Sequence, residues 1–383
     1  MTKIKNIVAF TSIRSEYGPL RPVLQKIKAD EDLELDLVIG GAHLSNKFGY
    51  SKDQIVADGF KIEQEIDFLP AQVSDSFITD SMSVLQREFG KWLVEKKPDL
   101  LLVLGDRFEL IPVVSSALIY NIPVAHISGG DITEGAIDNQ IRNAVSKMAH
   151  LHFAGIEWHR HNLLKMGEES WRICVAGEPA LDDILNLNFI PKKKLFNELG
   201  LDENVPVICC TFHPETIDKK ITAGFIKDLL NQLALNLPWQ VLVTASNFDQ
   251  GGIEINEALK VLSEKNKQVV FVPNLGQLRY YSLLKYATLM LGNSSSGIIE
   301  AQSFLLPVVN VGDRQKGRYF NPNVFQAEAD IGAITRAVEY VISDSFKSVY
   351  INEKNGYGDG SAAQRIVDFI KAAPVDRLLK KNG

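Results

Sequence analysis

The stretch Pro98-Asp-Leu-Leu-Leu-Val-Leu-Gly-Asp-Arg-Phe-Glu109 decides the fold class. Consecutive aliphatic residues from Leu100 to Leu104 demand a strand buried on both faces, and the charges begin only at its carboxyl end. Packing gives little reason to put Asp106 and Arg107 there, so the same stretch marks a candidate site. Residues 4–10, 35–39 and 123–127 read as further buried strands, with helical patterns at 19–28, 76–95 and 108–120 between them. This alternation predicts a parallel sheet covered on both faces.

The rhythm restarts in the second half, with strand-like runs at 205–212, 240–245, 269–272, 288–291 and 307–310 and helical stretches such as 222–235 between them. With 383 residues the chain exceeds the size at which one core stops growing. The expected fold is therefore α/β with two doubly wound, Rossmann-like domains facing a cleft, at residues 1–178 and 179–360. A closing helix within 361–383 is expected to cross back to the first domain. Apolar residues make up 45% of the chain, enough for two cores. The net charge of -6 argues against a nucleic-acid partner. Cys174, Cys209 and Cys210 show no metal-ligand spacing and are expected as reduced, mostly buried thiols. No run reaches the ~18 apolar residues of a membrane span, and no long apolar leader opens the chain. A cytoplasmic protein without membrane partner, metal or cofactor is the expectation, as a homodimer or homotetramer. No Gly-x-Gly-x-x-Gly supports a dinucleotide, and no Gly-x-Ser-x-Gly supports a serine hydrolase.

If strand ends line the cleft, polar clusters after apolar runs are the candidate sites. In Thr11-Ser-Ile-Arg14-Ser-Glu-Tyr17, the Arg14 guanidinium can fork onto phosphate oxygens, with an ion pair to Glu16 as the plainer alternative. Gly40-Gly-Ala-His43 offers close approach and a ring for a base or sugar. Ser128-Gly-Gly-Asp131 leads towards a helix on which Asp138 and Arg142 share a face at i,i+4. The run 205–212 passes into His213-Pro-Glu-Thr216, where the proline keeps His213 extended at a strand end. Asn247 and the loop Gly312-Asp-Arg314-Gln-Lys316-Gly-Arg318 complete the second domain's rim. In Leu291-Gly-Asn-Ser-Ser-Ser-Gly-Ile-Ile-Glu300 a strand runs into Ser294, Ser295, Ser296 and Gly297 at a helix start, a place to hold an anion. Glu300 is expected about one and a half turns inside that helix, near a sugar's hydroxyls. His150, His152, His159 and His161 read as structural.

Gly105-Asp-Arg-Phe-Glu109, Gly129-Gly-Asp131 with Asp138 and Arg142, Phe212-His-Pro-Glu-Thr216, Gly292-Asn-Ser-Ser-Ser-Gly297 and Gly312-Asp-Arg-Gln-Lys-Gly-Arg318 follow one another along nearly the whole chain. Together they closely resemble the hydrolysing UDP-N-acetylglucosamine 2-epimerases of bacterial sialic-acid synthesis. The resemblance implies a GT-B-like fold with UDP held mainly by the C-terminal domain. It places Arg14, Ser294, Ser295, Glu300 and Arg314 on UDP, with Glu300 on the ribose and Arg107 and His43 close by. It matches Asp106, Asp138, Arg142 and His213 to catalytic positions. One departure stands out: many members carry Glu where this chain has Ser128. Either that role is dispensable or Asp131, three residues on, covers it.

The implied reaction takes UDP-N-acetylglucosamine and water to N-acetylmannosamine and UDP. A base removes the C2 proton as the anomeric C–O bond breaks, and water then adds to the 2-acetamidoglucal. Because that proton is weakly acidic, arginines aimed at the leaving diphosphate must share the work. An alternative substrate is UDP-2,4-diacetamido-2,4,6-trideoxyglucose (UDP-diacetylbacillosamine), used for legionaminic-acid synthesis. A GT-B glycosyltransferase and a UDP-sugar sensor without chemistry are the remaining alternatives.

Overall fold

The computed structural model describes residues 4–72, 74–134, 136–215, 220–246 and 251–381. The chain divides into two compact units, the first formed by Met1–Asp131, Asp138–Leu185 and Tyr357–Gly383, the second by Ile132–Ile137 and Asn186–Gly356.

The first unit holds a parallel sheet of β1 (Asn6–Thr11), β2 (Glu34–Gly40), β3 (Ile62–Ile66), β4 (Leu100–Leu104), β5 (Val124–Ile127), β6 (Leu151–Ala154) and β7 (Ile173–Val175). Its spatial order is β3-β2-β1-β4-β5-β6-β7. The register Ile7↔Leu100, Val8↔Leu101, Ala9↔Leu102 sets odd and even positions on opposite faces. Leu100, Leu102 and Leu104 pack with Ile7, Leu37 and Ile39 under the helices Arg14–Ala29 and Ala362–Ala372. Leu101 and Val103 pack on the other face with Val8, Phe10 and Val38, under the helices Phe77–Lys96 and Leu110–Ile119.

The second unit repeats the plan with β8 (Val207–Thr211), β9 (Gln240–Thr244), β10 (Val269–Val272), β11 (Leu289–Gly292), β12 (Val308–Val311) and β13 (Val324–Ala327), ordered β10-β9-β8-β11-β12-β13. Ile208, Cys210, Leu289, Leu291, Val309 and Val311 share one core. Cys209 and Cys210 are buried, and burial pushes the Cys209 thiol up to about 12.

In both sheets the strand order reverses once, between β1 and β4 and between β8 and β11. Doubly wound sheets bind ligands at the carboxyl ends of the strands flanking such a switch point. Arg14 and Asp106 follow β1 and β4; His213 and the 293–296 turn follow β8 and β11. Topology alone thus selects four of the polar clusters singled out from sequence. Two of the expected helices differ from expectation. The first helix begins at Arg14, not near Pro19, and carries Pro19 and Pro22 inside it. The helix after β11 is a single turn, Ser295–Ile299.

Candidate functional site

In the first unit, Arg14 opens its helix half-buried, and its side chain makes no hydrogen bond or ion pair among the described residues. Burial lowers its pKa. A half-buried guanidinium without a protein anion is suited to a ligand's phosphate or carboxylate. The plainer alternative, a pair with Glu16, is not formed. The Glu16 carboxyl turns inward and accepts from Ser12 N at 3.1 Å and Ser12 Oγ at 3.0 Å. Burial raises its pKa to about 8, with Glu109 adding to the rise and Arg107 opposing it. Arg107 itself lies 3.2 Å from Glu109.

After β4, Asp106 Oδ2 pairs with Arg142, whose side chain is buried and also donates to Asp131 O at 3.0 Å. Burial alone would lower the Arg142 pKa; the carboxylates of Asp106, Asp131 and Asp138 more than reverse it. The guanidinium thus holds Asp106 at the end of β4, with the charges of Asp131 and Asp138 acting on it. Asp131 Oδ1 lies 3.2 Å from Nε2 of the wholly buried His159. The His159 ring, read as structural from the sequence, thus lies beside the cluster, and Asn162 one turn on donates to Gly130 O at 2.9 Å. His126, also missed, braces the cluster. Its Nε2 bonds Gly105 O at 2.7 Å and its Nδ1 meets Ser146 Oγ at 3.1 Å, while burial pulls its pKa to about 4. A neutral ring with Nε2–H aimed at that carbonyl fixes the residue before Asp106.

His43 requires correction as a ligand contact. Its ring is fully buried between Thr11 Oγ1 at 3.0 Å and Ser51 Oγ at 2.7 Å, and burial, aided by the Arg14 charge, lowers its pKa to about 3. Both nitrogens are used, so it is a neutral brace between β1 and the turn Gly41–Leu44.

In the second unit, Asn293 is fully buried and grips the His213 backbone from both sides, accepting from His213 N at 2.7 Å and donating to His213 O at 2.8 Å. His213 is thereby fixed at the end of β8, half-buried. The Asn293 carbonyl in turn receives Arg314 at 3.1 Å and Gln315 at 2.8 Å. Glu215 steadies the same loop, accepting from Asp313 N at 2.9 Å. Asn293 and Glu215 are thus positioning residues that their chain neighbours alone do not reveal.

Ser294 caps the short helix by accepting from Ser296 N at 3.4 Å. Ser295 is half-buried, and its hydroxyl makes no hydrogen bond among the described residues. Ser296 is committed to Tyr280 OH at 2.8 Å and to Glu300, which also accepts from Tyr281 OH at 3.0 Å. Glu300 sits at the C-cap of that single turn, so the expected dipole of a longer helix is replaced by local N–H and hydroxyl groups with Arg314. Gly297 faces inward, where a Cβ would lie 2.9 Å from Val308 Cγ1, so its role is packing. Lys316 is exposed, and Asn247 lies outside the described residues. Among the described residues no group of three or more His, Cys, Asp or Glu side chains is placed to hold a metal, and no helix is long and apolar enough to cross a membrane.

The first unit thus offers carboxylates beside a buried arginine. The second offers a histidine beside a hydroxyl and arginine cradle suited to a diphosphate. Comparison with known proteins identifies the family. Residues 25–371 match the sequence profile of the UDP-N-acetylglucosamine 2-epimerase family. A GDP/UDP-N,N'-diacetylbacillosamine 2-epimerase (hydrolyzing) of Campylobacter jejuni is 37% identical over 99% of this chain and 98% of its own. A UDP-N,N'-diacetylbacillosamine 2-epimerase (hydrolyzing) of Legionella pneumophila is 31% identical over 99% of both. The UDP-GlcNAc 2-epimerase of Neisseria meningitidis, solved with UDP-GlcNAc bound, superposes with a TM-score of 0.84 at 19% identity over 97% of this chain and all of its own. That likeness bears on the fold alone, and the expected pair of Rossmann-like, GT-B-type domains is the fold observed.

Proposed function

The chain belongs to the UDP-N-acetylglucosamine 2-epimerase family as a hydrolysing UDP-sugar 2-epimerase, and on that premise we propose that its substrate is UDP-N,N'-diacetylbacillosamine. This departs from the substrate first implied by the sequence motifs, UDP-N-acetylglucosamine. The observation that carries the change is that two relatives aligned over 99% of the chain, at 37% and 31% identity, both bear the diacetylbacillosamine name.

In this reading Arg14, Ser294, Ser295 and Arg314 hold the diphosphate and Glu300, steadied by Tyr281, takes the ribose. Positive charge on the diphosphate stabilises the departing UDP. Asp106, Asp131 and Asp138, near Arg142, handle protons at the sugar, with His213 at the glycosidic oxygen or C2. The C2–H electron pair forms the C1=C2 bond as the C1–O pair leaves with UDP. Water then adds at C1 while C2 is protonated on the opposite face.

The test incubates purified protein in D2O with UDP-N,N'-diacetylbacillosamine, its GDP counterpart and UDP-N-acetylglucosamine, each followed by NMR. The expected result is free UDP with a C2-deuterated, C2-inverted sugar from the first substrate, at the highest kcat/KM of the three. Faster turnover of UDP-N-acetylglucosamine would overturn the substrate assignment, and an unlabelled C2 would overturn the elimination.

A further inference from the structure

Ser128 follows β5 in left-handed backbone, with φ of 65°, a conformation unfavourable for any residue bearing a Cβ. Its hydroxyl donates to Glu178 Oε2 at 2.9 Å. Glu178 follows β7, two strands away in the sheet, and its carboxylate is buried. To reach Ser128 it crosses the end of β6 at Gly155, where an added Cβ would lie 2.2 Å from Glu178 Oε1. Its backbone is pinned where Glu178 N donates to Tyr357 O at 2.8 Å. A strained serine, a glycine that leaves clearance and an anchored glutamate thus combine to bring one more carboxylate to the row begun by Asp106. With its proton committed to Glu178, Ser128 Oγ presents lone pairs and acts as an acceptor.

We propose that Glu178 is a positioning residue of the reaction, acting through Ser128 as a proton relay to the water that adds to the sugar. One proton passes from the water to Ser128 Oγ as the serine's own proton passes to Glu178. A lone pair of the water oxygen forms the C1–O bond while the C1=C2 electron pair takes up a proton at C2; the water O–H bond breaks with its electrons left on the new hydroxyl oxygen, and Glu178 becomes a neutral carboxyl, with no net oxidation or reduction. The doubt raised by Ser128 is resolved by a carboxylate that lies one side chain further back. Glu178 attracts no notice in the sequence, where Gly177-Glu-Pro179 resembles an ordinary turn.

This inference rests on the hydrolysing 2-epimerase reading, and the experiment separates the two. UDP release by the wild-type enzyme is measured first; no release from any of the three nucleotide sugars would overturn the reading and this relay together. Glu178→Gln is expected to lower kcat by about a hundredfold or more with UDP affinity unchanged. The double variant Ser128→Glu with Glu178→Gln, which returns the charge to a position already tolerating a Cβ, is expected to regain at least about tenfold of that loss. Wild-type turnover by Glu178→Gln overturns the relay alone, as does failure of the double variant to recover, which marks a scaffold role. If Glu178→Gln does not fold, Ser128→Ala tests the same bond: a fall in kcat of about tenfold or more supports the relay, and unchanged turnover overturns it.

Discussion

Burial sets the charge of individual groups around the first switch point. Glu16 has its pKa raised from 4.5 to about 8, so the folded protein binds its proton more tightly than the unfolded chain does. The stability this contributes is full below about 4.5 and is lost as the pH rises through about 8. Glu16→Gln keeps the shape and removes the titration. Its unfolding temperature relative to wild type is expected to rise steadily across that window, as measured by thermal melts at a series of pH values; a constant difference would refute the shift. The motifs disclosed most of the polar residues gathered here, because charges after aliphatic runs have no packing explanation. They did not disclose how Asn293, His126 or Glu215 are used. Each of these acts on backbone brought close by the sheet, His213, Gly105 and Asp313 respectively, and such partners are not encoded in neighbouring residues.

At the scale of elements, the strand β11 ends on Gly292 with φ of 140°, where a Cβ would stand 1.9 Å from Thr211 O of β8. The two strands are in register there, Gly292 opposite Thr211, so neither can give way without breaking the ladder that places His213 and the serine turn. Gly292→Ala is expected to cost about 3 kcal/mol or more, read by denaturant unfolding, and to weaken UDP binding in whatever fraction folds. A loss below about 1 kcal/mol would mean that the backbone relaxes. Elements buried on both faces were legible as aliphatic runs, and Leu100–Leu104 coincides with the expected span, as does the apolar edge strand Val269–Val272. The edge strands β3 and β13 were missed, β3 because Ile62-Glu-Gln-Glu-Ile66 carries the polar residues an open edge requires. The early start of the first helix was hidden as well. Its N-cap, Ile13, has no capping side chain, and Pro19 and Pro22 punctuate its interior.

At the scale of the molecule, the first unit depends on the far end of the chain. The wholly buried Arg172 donates to the carbonyls of Leu378, Arg377 and Lys380, at 2.9, 3.3 and 2.7 Å, and Lys381 reaches Glu168. Truncation before Val375 leaves that guanidinium buried without these acceptors. Calorimetry is expected to show an early transition belonging to the first unit, lowered by about 3–5 kcal/mol of stability, with the second unit's transition unmoved. A single unshifted transition would refute this dependence. The helix Ala362–Ala372 contributes Ala363, Ile366, Val367 and Ile370 to the first unit's core, yet all of Asn186–Gly356 is translated before it. At about 5–20 residues per second, the ribosome needs on the order of ten seconds to half a minute to make that stretch. Throughout that interval the nascent sheet lacks part of the cover for Ile7, Leu100 and Leu102, while the second unit, contiguous in synthesis but for Ile132–Ile137, can complete itself first. The later-made half can thus be the earlier to mature.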